Sequence, residues 1–225
     1  MMMNLIKRTV LLVCLSVISH SALAIYFSSF IYEMMSDEDF IAKPIRNDTK
    51  NLSMYQISSF KIDKPGPGGE KKIYVKDREL IHTPLELKIE PNSSNFFKIL
   101  YIGPKDNQER YYRVVFLETP LTAFKNSKED GTIFFPTVSM STILIVRPRK
   151  QILKYEVDEA KGIIKNTGNT FFRVIIHQGC EGTDEDATHF YMLPGETYQD
   201  ESVKNTNRKF IIANKRYYQA GKMCF

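Results

Sequence analysis

Polar and apolar positions alternate from Thr137 to Met140 in the stretch PTVSMSTILIVRPR (residues 136–149), and then every residue from Ile143 to Val146 is apolar. Alternation marks a strand buried on one face, whereas an unbroken apolar run marks a strand covered on both. One strand therefore changes its surroundings halfway along, and the apolar side of its first half needs a cover. The same period of two recurs upstream. IYFSSFIYEM (25–34), FIAKPIRN (40–47), SMYQISSFKI (53–62), LELKI (85–89), NFFKILYIG (95–103) and YYRVVFLE (111–118) read as short strands between Gly, Pro, Asn and Asp clusters. Seven strands in about 120 residues are what an immunoglobulin-like sandwich requires.

Pro148 cannot continue a ladder, and between Arg147 and Arg149 it makes a corner. A second series follows: ILKYEV (152–157), GIIKN (162–166), TFFRVIIH (170–177), HFYML (189–193), TYQDES (197–202) and RKFIIANKRYY (208–218), with turn signals at NTGN and PGE. The expectation is an all-β chain of two immunoglobulin-like sandwich domains joined at an angle, residues 25–148 and 149–225. Fifteen Phe, twelve Tyr and abundant Ile and Val agree with β structure.

The first 24 residues follow another pattern. Lys7 and Arg8 precede the apolar run VLLVCLSVI (10–18), and Ala22, Leu23 and Ala24 supply a small-residue cleavage site, so residues 1–24 read as a cleaved secretory signal. The run is too short to span a bilayer, which takes roughly 20 residues, and stable membrane insertion is not expected. Cleavage removes Lys7 and Arg8 and lowers the net charge from +5 to +3. No Lys/Arg run accompanies that mild excess, which argues against nucleic acid as a partner. Of three cysteines, Cys180 and Cys224 lie beyond the signal. A pair in an exported chain without CxxC or His-rich spacing reads as a disulfide rather than a metal site.

Catalytic signatures are missing. His82, His177 and His189 fall on separate segments, with no G-x-S-x-G, H-E-x-x-H or phosphate loop among them, so neither an enzyme nor a cofactor is expected. EGTDEDATH (181–189) lacks the spacing of a calcium loop and reads as solvated. KPGPGGEKK (64–72) has glycines without the strand and helix of a phosphate site; it is a hairpin connection or a partner contact. Arg110 and Arg113 sit in the apolar strand ERYYRVVFLE, where a guanidinium needs an anion. Glu109, Glu118 or another internal carboxylate would serve, and so would a partner.

Two sandwiches after a signal peptide, joined at an Arg-Pro corner, resemble the periplasmic pilus chaperones of chaperone–usher systems. ERYYRVVF (109–116), STILIVRPRK (141–150), GIIKNTGNTFFRVII (162–176) and FYMLPGE (190–196) look like the corresponding segments of the common-pilus chaperones of enterobacteria, in the same order and spacing. TPLELKIEPNSS (83–94) is similar to a stretch of the wider family. The resemblance implies a periplasmic chaperone that holds incomplete pilin subunits by adding its own strand to them, and that delivers them to an outer-membrane usher. The missing cover would then be another protein. Counting back from Pro148 places the donor set on Phe134, Val138 and Met140, with Pro136 in register; an ordinary edge strand protected by Pro136 is the plain alternative.

The family also fastens its client's terminal carboxylate with an Arg and a Lys. The matching positions here are Ile31 and Ile143, so that anchor does not carry over, and Arg113 is the nearest substitute. The family's ion pair at the domain junction implies a pair of Arg147 with Glu109, while no acid from the second domain is evident. A structural pilus subunit or adhesin, with IYFSSFIYEM as a donor extension, is the competing reading.

Overall fold

The computed structural model describes residues 25–66, 68–121, 137–204 and 206–222. The signal segment, Phe134, Pro136 and Cys224 therefore lie outside the described residues. Ten strands make up the first half: β1 (Ile25–Tyr26), β2 (Ile31–Met34), β3 (Phe40–Asn47), β4 (Ser53–Ile62), β5 (Lys72–Ile73), β6 (Leu80–Thr83), β7 (Glu86–Ile89), β8 (Ser94–Tyr101), β9 (Arg110–Pro120) and β10 (Val138–Val146). They form one sheet in the order β1-β3-β8-β6 and another in the order β2-β10-β9-β4-β5, with β7 also on β4. Between them lies a single apolar core. Tyr55, Phe97, Ile99 and Phe116 fill it with Ile45, Val114 and Leu144, all essentially without solvent contact. Phe116 stacks against both Phe27 and Phe97, at 4.7 and 4.8 Å between ring centres.

The second half folds the same way at smaller scale. β11 (Tyr155–Asp158), β12 (Ile163–Asn166) and β15 (Thr197–Gln199) make one sheet, and β14 (Thr188–Met192), β13 (Phe172–Ile176), β16 (Lys209–Ala213) and β17 (Arg216–Gln219) make the other. Ile164, Phe172, Val174 and Ile211 fill the space between. The chain is thus all-β, with two immunoglobulin-like sandwiches. No helix among the described residues is long and apolar enough to cross a membrane.

Three boundaries differ from those expected. Residues 25–34 are two strands, not one: β1 pairs with β3 in one sheet and β2 with β10 in the other. That segment is built into its own sandwich, which removes the feature that suggested a donor extension. β5 and β6 are additional strands, each too short to show a period. Residues 208–218 are a hairpin, β16 and β17, turning at Asn214 and Lys215, whose φ values are 50° and 61°. Both residues are left-handed, as such a tight hairpin demands, and no glycine marks the place.

Candidate functional site

β10 answers the question its pattern raises. It pairs antiparallel with β9 along its whole length, from Val138↔Glu118 to Val146↔Arg110. On its other side it pairs with β2 in parallel, but only from Ile143↔Ile31 to Val146↔Met34. Among the described residues, nothing pairs with Val138–Thr142 on that side. The Ile143 amide donates to the Phe30 carbonyl at 2.8 Å and the Arg147 amide to the Met34 carbonyl at 3.0 Å, so odd residues aim their backbone groups toward β2. By strand periodicity Ser139 and Ser141 turn an N–H and a C=O each toward the open side.

The side chains divide by the same parity. Leu144 and Val146 are buried in the core of the first sandwich, and Met140, half-buried, packs against that core. Val138 continues the row at 40% exposure. The apolar face of the open half is therefore an extension of the first sandwich's own core toward solvent, rather than a face turned away from it. The odd residues Ile143 and Ile145 face elsewhere. They join Ile62, Tyr111, Phe171 and Leu193 in an apolar cluster that draws on both sandwiches. An unbroken apolar run arises because one face of β10 meets a sandwich core and the other meets the junction.

Arg147, at the end of this strand, fastens the junction. Its side chain is 4% exposed. Nη1 lies 2.9 Å from Glu109 Oε2, 2.5 Å from Thr170 Oγ1 and 3.1 Å from the Phe171 carbonyl, while Nε and Nη2 reach Glu33 Oε2 at 2.9 and 2.7 Å. The guanidinium also lies over the Phe171 ring, 3.7 Å from its centre. Glu109 in turn accepts from the Phe171 amide, the Thr170 hydroxyl and the Tyr111 hydroxyl. Two buried charges in such a site are tolerated because nearly every donor and acceptor is matched. Glu33 was not expected; it projects from the apolar-looking segment IYEM and meets Arg147 across 114 positions of chain.

Arg113 occupies a telling row. Phe60, Arg113, Ile143 and Ile31 are register partners on β4, β9, β10 and β2, so Ile31 and Ile143, the two positions expected from the resemblance to match anchoring cations, are apolar and a guanidinium stands one strand away from Ile143. Its carboxylate partner is neither Glu109, which binds Arg147, nor Glu118, which is buried and accepts from Ser53 at 2.9 Å. It is Glu70, which holds Arg113 through Nε at 3.1 Å and through Nη2, and Nη1 donates to Ser141 Oγ at 3.3 Å. The arginine holds the Glu70 carboxyl below the usual carboxylate range. Arg110, by contrast, is committed to Asp106 by two bonds of 2.6 and 2.7 Å. Cys180 is disulfide-bonded.

Two immunoglobulin-like sandwiches clamped by a buried arginine, with a half-open strand leading into the clamp, define a fold that solved pilus chaperones share. The chaperone DraB of E. coli superposes with a TM-score of 0.56 at 14% identity, over 88% of this chain and 96% of that one. A chain of the Salmonella enterica complex of SafA pilin with the SafB chaperone gives 0.52 at 13% identity, over 91% and 97%. No protein-family model matches the chain. Curated relatives resolve the family: the probable fimbrial chaperone EcpE of Escherichia coli O18:K1:H7 (strain IHE3034 / ExPEC) is 34% identical over 203 residues, 89% of this chain and 86% of the relative. The probable fimbrial chaperone EcpB of Klebsiella pneumoniae (strain 342) is 28% identical over 184 residues, 80% and 82% respectively. The chain belongs to the fimbrial chaperones of which EcpE is a member.

Proposed function

We propose that the protein is a periplasmic, non-enzymatic chaperone that completes the fold of pilin subunits with its own strand and hands them to an outer-membrane usher. The observation that carries this reading is the half-open β10. Among the described residues nothing pairs with one edge of Val138–Thr142, and its even face continues an apolar core toward solvent. An incomplete sandwich that lacks an edge strand is the complementary object: its strand takes the backbone bonds and its groove takes the side chains. Phe134, Pro136, Val138 and Met140 form the donor set. Arg113 receives the client's terminal carboxylate, because it stands in the row of Ile31 and Ile143 and offers a guanidinium fork. In this account cleavage follows Ala24, the sandwiches are residues 25–148 and 149–225, and Cys180 pairs with Cys224.

The test is a pair of charge substitutions. Val138→Asp and Met140→Asp together place unpaired carboxylates in an apolar groove, a cost of several kcal/mol. Pilin recovered with the chaperone from periplasm should fall to background, while the variant alone keeps its β-sheet circular dichroism. Since Met140 packs against the chaperone's own core, a modest drop in melting temperature is expected from that residue. Undiminished pilin recovery would remove the donor assignment.

A further inference from the structure

Glu70 reaches Arg113 from a place that is costly to hold. It stands in the turn between β4 and β5 with φ of 66°, a left-handed backbone that residues other than glycine seldom adopt and that Gly66 and Gly68, shortly before it, adopt freely. Backbone bonds close most of that turn: the Glu70 amide donates to the Lys64 carbonyl at 2.7 Å and the Asp63 amide to the Lys71 carbonyl at 3.1 Å, and within the turn the Glu70 carboxylate has only a long contact, from the Gly66 amide at 3.4 Å. The carboxylate instead spans 43 positions to grip the arginine at two nitrogens. The pair is open to water, with Arg113 20% and Glu70 34% exposed, and pairs that exposed are weak enough to exchange. Arg113 meanwhile touches Ser141, whose backbone lies on the open edge of β10.

We propose that Glu70 is an internal stand-in for a client carboxylate: it occupies Arg113 while β10 is uncovered and is displaced when a client strand brings its own. This rests on the reading of Arg113 as a carboxylate anchor and adds a competitor built into the chain. A carboxylate that satisfies the guanidinium in the free protein lowers the cost of keeping a cation beside an apolar junction. It also makes client binding an exchange of one carboxylate for another, so that capture is weaker and more readily reversed than capture by a bare arginine.

The probe is acetate, followed at the Arg113 Nε–H resonance of the full-length mature protein by NMR, with chloride at equal ionic strength as control. Glu70→Gly suits the left-handed backbone and removes the carboxylate; Glu70→Gln keeps the side-chain length. Both variants should titrate with acetate at least about tenfold more tightly than the wild type, the scale of a charge-assisted contact. Equal titration of wild type and variants would overturn the stand-in while leaving the anchor. A silent resonance in every protein would overturn the anchor and the stand-in together.

Discussion

Ile31 is the parallel register partner of Ile143, and it is where the second neighbour of β10 begins. After that pair the strand is enclosed on both edges; before it, the described structure shows one edge only. The position coincides with the change from alternating to unbroken apolar residues, so the sequence pattern and the edge pairing have one cause. Ile31 also lines a cleft of about 760 Å³ between the sandwiches, together with Tyr32, Glu33, Arg147 and Phe171 among others.

Charge on the enclosed half should damage the chaperone itself. Ile145 is 4% exposed within the junction cluster. Ile145→Asp buries a carboxylate without a partner and should destabilise the fold by more than about 3 kcal/mol. Denaturant unfolding of the free protein measures this; a change below about 1 kcal/mol, within the reach of ordinary surface substitutions, would contradict the placement.

The two acids on Arg147 should differ in worth. Glu109 has a side chain 1% exposed and Glu33 one 38% exposed. Glu109→Ala leaves a buried guanidinium short of its main counter-charge and should cost about 3–5 kcal/mol, whereas Glu33→Ala should cost about 1 kcal/mol or less. Equal losses would mean that the junction does not depend on the buried pair.

A disulfide at Cys180 predicts a stability difference on reduction. Serine at Cys180 and Cys224 together should lower the stability of the second sandwich by roughly 2–4 kcal/mol. Two free thiols in the native protein would contradict the pairing.

Asp106 gives a pH dependence. The hydrogen bonds from Arg110 hold its carboxyl down to about 2, from the ordinary 3.8. A carboxylate lowered in the folded state stabilises fully above its unfolded value and loses that contribution as pH falls through the folded one. Melting temperature should therefore drop more steeply between pH 4 and pH 2 for the wild type than for Asp106→Asn. Parallel curves would show that the pair contributes nothing to folding.

The strands were legible because half-buried strands write a period of two, and SMYQISSFKI coincides with β4 from Ser53 to Ile62. The Arg147–Glu109 contact followed from family resemblance, not from the residues alone. What stayed hidden has local reasons. The β16–β17 turn is made by Asn214 and Lys215, whose left-handed backbone carries no glycine signal. Glu33 and Glu70 find their arginines across 114 and 43 positions, and charge pairs at such separations leave no pattern in sequence. Nor does the pattern give the direction of Met140: alternation shows that one face is apolar, but not that this face continues the strand's own core.

Amide hydrogen exchange at Ser139 and Ser141, measured in the free chaperone and in its complex with a co-expressed pilin, tests the open edge most directly. Both amides point away from β9, so both should exchange rapidly in the free protein and become protected when a client strand pairs with them, while Ile143 and Ile145 are protected in either state. Protection of Ser139 and Ser141 already present in the free monomer, or exchange unchanged in the complex, would contradict strand donation by β10.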